Sequence, residues 1–428
     1  MDESMRSIGP EFVRLTVQSL SKCQITTTTT SRLPELVLSL WRTCGRCVQG
    51  SLILAKARSV LKYLIQILLG QQSSQHLQLE SLGVLKQLTF YAEERRLDIL
   101  ECGGMVKALT HTPFSDKGDE RLSAILRNLA LTPSVRLIMA QDPAILSCMI
   151  RLCSQSNQRT VRNVISTIDS LAMEPDSAIS IVLHGDGVVL TVLIRLTMDS
   201  QDHVVRRRSA RAVRLLARDR ATPLLVNDNS LMNALSHCAL HDLCQDVRRE
   251  AAEAYASCAN LVRAPMPTHT GVLQSLTNLA QKPEAPEAVA RAMKQQALCP
   301  ENRVPMADHA GLLPALAEIA LREGISHGCR EAVSTALHDL SSAEPNLEKM
   351  AIDSVLQALV RNALHPSEDL SRRAVNTLMN LASLPSNRKS MVLHDGLLQA
   401  LMLYAASNSD ATRKANVKKA ILTLVPLL

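Results

Sequence analysis

The same short pattern returns along the chain at intervals of 38 to 45 residues, and nothing else in the sequence limits the fold as strongly. Its clearest copy runs from Arg372 to Leu403, RRAVNTLMNLASLPSNRKSMVLHDGLLQALML. This reads as a charged amphipathic helix ending at Asn380-Leu381-Ala382, a turn around Pro385, a short helix, a second turn at Asp395-Gly396 and an apolar helix. The residue that ends the long helix falls at Ala92, Ala130, Ala172, Ala217, Ala259, Leu298, Ser341 and Ala382. A second landmark, between the two shorter helices, keeps the same step at Gly104, Pro143, Gly187, Ser230, Gly271, Gly311, Ser354 and Gly396.

One short helix pair cannot bury its apolar face, but stacked copies share a core, so the pattern predicts a solenoid. Composition points the same way. Apolar residues make up 46% of the 428, yet there are only one Trp, four Tyr and three Phe. A β-sandwich or doubly wound enzyme uses far more aromatic and β-branched residues. The class is all-α. Pro at the first turn suits a position just past a helix end. Residues 1–51 fit the period badly and read as N-terminal cap helices with a Thr-rich linker at Thr26–Thr30. Residues 52–428 then hold about eight to nine repeats, closed by a last helix over 410–427.

The pattern AVxxLxNLAxxPxNRxxxxxxxGLLxxL at Ala374–Leu401, with weaker copies at 128–150 and 297–316, resembles the armadillo repeat of β-catenin and importin-α. The resemblance covers approximately 52–428. It implies a right-handed superhelix of three-helix repeats, the third helix lining a concave groove that holds an extended partner segment.

Little else carries chemistry. Cys44-Gly45-Arg46-Cys47 has redox or zinc spacing, but no strand context surrounds it and no second paired motif exists. The eleven Cys are expected to be reduced, acting as small hydrophobes in a cytoplasmic or nuclear protein. There is no phosphate-binding loop, nucleophile elbow or HExxH, so no enzyme activity, cofactor, metal or small-molecule substrate is expected. The longest apolar runs, 36–40 and 60–69, are too short to span a bilayer, and the acidic N-terminus is followed by no signal core. A soluble chain is expected.

If the resemblance holds, three positions four residues apart on each long helix face the groove. In register these are Glu120/Ala124/Asn128, Arg162/Ser166/Ser170, Arg207/Arg211/Leu215 and Arg249/Glu253/Ser257, then Glu287/Arg291/Gln295, Glu331/Thr335/Asp339 and Arg372/Asn376/Asn380. Of the Trp and Asn ladder that a resemblance to importin-α implies, no Trp stands at the middle positions, and the final-position Asn survives only at Asn128 and Asn380. Instead, residues 203–220 carry seven Arg against one Asp. Arg207, Arg211, Arg214 and Arg218 share one helix face, opposite Val205, Ser209, Ala212 and Leu216. With Arg162, Arg249, Arg291, Arg372, Asn376 and Asn380 they are the candidate partner-binding residues. The expected partner is an extended acidic or phosphorylated protein segment, since the guanidinium fork suits carboxylate and phosphate. Two alternatives are an import adaptor of altered specificity and nucleic-acid binding along the arginines, the latter disfavoured by the lack of stacking aromatics.

Overall fold

The charged, amphipathic segments become long helices, and these set the architecture. The computed structural model describes residues 15–16, 33–70, 73–111, 114–155, 157–218, 229–261, 271–407 and 411–424, among which every regular element is helical. The Thr26–Thr30 run lies outside the described residues. The chain divides into two units, Met1–Thr222 and Pro223–Leu428. In the first, long helices α1 (Gln75–Tyr91), α2 (Asp116–Ala130), α3 (Gln158–Leu171) and α4 (His203–Leu216) lie side by side in chain order. In the second, α5 (Gln245–Leu261), α6 (Pro286–Ala297), α7 (His327–Ser341), α8 (Glu368–Ser383) and α9 (Ala411–Leu424) do the same. Helix Leu33–Cys44 packs on α1 and buries Trp41 completely.

Both landmarks mark real boundaries. Ala92, Ala172, Ala217 and Leu298 cap the C-termini of α1, α3, α4 and α6, while Ala130 and Ser341 are the last residues of α2 and α7. Gly104 and Gly271 open the apolar helices at φ +89° and +107°, a backbone region that a Cβ disfavours. The prolines differ from expectation in detail. Pro133, Pro175, Pro300 and Pro385 occupy the first turn of the next short helix, where a missing N–H costs nothing. One segment, Pro175–Asp199, is long and apolar enough to cross a membrane, unlike the runs singled out in the sequence. It is no continuous helix: Gly185, Asp186 and Gly187 all adopt positive φ and break it between Leu183 and Val188.

Hydrogen bonds across the stack have the repeat's own spacing. Asn163 Nδ2 donates to Ser123 Oγ 40 residues earlier (3.1 Å), and Arg195 to the Cys153 carbonyl 42 earlier (2.9 Å). The Pro-x-Asn-Arg run has a clear physical purpose. Asn387 Nδ2 donates to the Leu381 carbonyl at the end of α8 (3.1 Å) and to the Leu347 carbonyl one repeat back (2.8 Å). Arg388 covers the following carbonyls of Ala382 (3.0 Å) and Ser383 (3.4 Å). Arg303 repeats this on Ala297 and Leu298, and Asn346 bonds the Leu340 and Arg303 carbonyls. A helix end leaves its last carbonyls unpaired and partly negative; the Asn amide and Arg fork satisfy both needs.

Asn387 is 3% exposed. Replacing it with Ala strands two buried carbonyls and is expected to destabilise the second unit by about 2–3 kcal/mol, whereas Arg388→Met costs about 1 kcal/mol. Urea titrations of both variants check the ordering.

Candidate functional site

Within the first unit, α4 carries Arg206, Arg207, Arg208, Arg211 and Arg214 and no acidic residue. Val205, Ala212, Val213 and Leu216 are buried, as is Ser209, whose hydroxyl returns to the Val205 carbonyl (2.9 Å). The expected core face is therefore observed, and Arg207, Arg211 and Arg214 remain half-exposed with Arg218 exposed beyond the helix end. Arg206 donates to the Ser200 carbonyl (2.7 Å), a structural role.

The arginines are not a bare stripe. Asp169 of α3, 1% exposed, lies 3.5 Å from Arg211 Nη1 and 3.7 Å from Arg208 Nη1. Arg162 holds Asp202 with its Nε (2.8 Å) and Nη2 (2.6 Å), while Asp202 caps α4 by accepting the Val204 N–H (2.9 Å). In the second unit Arg249 pairs with Asp246 (3.5 Å), Arg372 with Asp369 (2.8 Å), and Arg291 is exposed. Arg373, outside the candidate set, reaches back to Glu331 (3.0 Å) and Thr335 (2.8 Å) on α7. Asn376 and Asn380 are half-exposed, and Asn380 donates to Ser341 on α7 (3.0 Å).

The three-position register needs correction in the first unit. Ala124, Asn128, Ser166 and Leu215 are 5%, 1%, 7% and 5% exposed. Neighbouring long helices approach closely there, and small side chains are covered. Asn128 acts as a rung, donating to Thr89 Oγ1 on α1 (3.3 Å). The polar surface is built instead from longer side chains that reach across the seam. These include Arg208, which reaches Asp169 on α3, and Arg127 on α2, which donates to Asn163 on α3 (2.9 Å); Lys86 on α1 is half-buried beside them. Their length, with no acid one turn away, was the signal available in the sequence.

Cys47 caps helix Val48–Lys56, and burial, then the neighbouring Cys47, pushes the Cys44 thiol up.

No family model and no curated protein matches the chain. Among solved structures, an engineered protein superposes with TM-score 0.65 at 19% identity, covering 96% of this chain and 99% of its own. A structure from work on a conserved phosphorylation switch controlling the interaction between cadherin and beta-catenin superposes with TM-score 0.51 at 14% identity, covering 99% and 98%. The likeness is one of fold.

Burial pushes the Asp202 carboxyl up, but the Arg162 hydrogen bond, the Val204 N–H and the charges of Arg162 and His203 outweigh it and hold it low. A depressed folded value means the pair stabilises above about pH 4 and is lost as pH falls through that value. Arg162 is half-exposed, so Arg162→Met is expected to lower stability near pH 7 by about 1 kcal/mol or less, a difference that is lost as pH falls through the depressed value of Asp202. Thermal unfolding of both proteins as a function of pH reads this.

Proposed function

We propose that the chain is an armadillo-type, non-catalytic scaffold that binds an extended acidic or phosphorylated segment of another protein. The observation that carries the reading is on α3 and α4. Five arginines stand on one helix with Arg162 beside them, and Arg207, Arg211 and Arg214 stay half-exposed while the opposite face is buried. A row of rigid helices presenting guanidinium groups suits a segment that is disordered when free and orders on binding. The fold's likeness to a protein that engages cadherin supports a protein partner. Affinity is then moderate and falls with salt.

The Asp169 contact decides how to test this. A Glu at position 211 would face a buried carboxylate, so Arg207→Gln with Arg211→Gln is the cleaner change. With a fluorescein-labelled Glu-Gly-Ser twelve-mer, the double variant is expected to bind about ten-fold more weakly at about 0.1 M salt. Equal affinity for wild type and variant would sink the assignment. Tighter binding of a Lys-rich twelve-mer would move the reading to an import adaptor.

A further inference from the structure

Lys86 and Phe90 stand one turn apart on α1 and so share a face. Phe90 is 52% exposed, a large apolar side chain in a protein with few aromatics. Asn128 fixes this face against α2 by donating to the Lys86 carbonyl (3.5 Å) and Thr89 Oγ1. Beside Asn128, Arg127 is half-buried and its guanidinium donates to Asn163 Oδ1 (2.9 Å), a neutral acceptor. From α3, Arg159 is largely exposed and lies 3.1 Å from Glu120. Among the described residues neither Lys86 nor Arg127 makes an ion pair.

Charges of one sign therefore converge from three adjacent helices with too few acids between them. Burial pushes the Lys86 ammonium down and Arg159, Arg121 and Arg127 push it further, against Glu120. Arg127 is pushed down by burial, then by Arg159 and Arg208. Half-buried like charges oppose the folded state unless an anion joins them.

We propose that Lys86, Phe90, Arg127 and Arg159 form a docking site for a phosphorylated residue flanked by a bulky apolar one. This rests on the reading of the chain as a binder of acidic or phosphorylated segments, and adds the position and sequence context of the phosphate. A phosphate dianion offers three acceptor oxygens and meets donors from three helices, where a carboxylate would neutralise one cation. Phe90 supplies what a charge cluster lacks, an apolar anchor beside the cations. A nucleic-acid strand fits less well: the Phe90 ring is met edge-on by Tyr91 (4.7 Å), and the acids Glu80, Glu120 and Asp169 lie along the same rows.

Four labelled twelve-mers of Glu, Gly and Ser decide it, with a central Ser or phosphoserine and a following Leu or Gly. Phosphorylation is expected to tighten binding about ten-fold, and Lys86→Gln with Arg127→Gln to remove that gain while the unphosphorylated peptide binds as before. Phe90→Ala is expected to remove only the gain from Leu. Unchanged circular dichroism and Tm confirm that the variants are folded. If the acidic peptide binds and depends on Arg207 and Arg211 but phosphate adds nothing, this site is wrong and the scaffold reading stands. If no peptide binds, both fall. If a twelve-mer RNA binds more tightly than the phosphopeptide through Lys86 and Arg127, the site belongs to nucleic acid and the proposal is overturned.

Discussion

Within each unit, repeats among the described residues lean on their neighbours to finish their hydrogen bonding. A long helix ends with carbonyls that nothing in the helix can pair, and the stack places that end in contact with the next short helix. Asn387 and Asn346 each donate to two carbonyls, one closing the long helix before it and one belonging to the preceding repeat. A single amide thus sets both the turn and the stacking register. Where Asn is replaced by Ser, at Ser177, the hydroxyl closes the Leu171 carbonyl (2.5 Å), and Arg96 closes the Thr89 carbonyl near the end of α1 (2.7 Å) while reaching Thr132 Oγ1 in the next repeat (3.2 Å). The sequence varies, but the carbonyls must be met.

This explains what could be read before any coordinates. The period was legible because it comes from apolar spacing, small cap residues and turn residues such as Gly104, whose backbone few other residues tolerate. The burial of Val205, Ala212 and Leu216 followed from helical periodicity alone. The surface was harder. Laying positions four residues apart ignores both the drift of a 3.6-residue turn and the closeness of the next helix. Asn128 and Ala124 disappear under a neighbour for that reason, and Arg127 and Lys86 take over. Partners such as Asp169 for Arg211 lie 42 residues away, and only stacking brings them together.

Those distant carboxylates change the meaning of the arginine-rich helix. Asp202 caps α4 and anchors Arg162, so one side chain serves the fold and sets the charge of the surface. Asp169 shares itself between the guanidinium groups of Arg208 and Arg211. The acids hold these arginines in place. Preorganised side chains lose less freedom when a partner arrives, so partial pairing favours binding over leaving the arginines loose.

The contrast between α4 and the α1–α2 seam then has a physical basis. Around Arg208 and Arg211 a buried carboxylate offsets part of the cost of bringing arginines together. Around Lys86 and Arg127 the nearest fixed partner is a neutral amide, and the neighbouring charges are mostly positive. A fold that supplies acids to one cluster and withholds them from the next, along the same row of helices, is stable in the first place and incomplete in the second. An incomplete cluster beside an exposed Phe discriminates between partners, because an anion of the wrong charge or lacking an apolar neighbour leaves part of it unpaired.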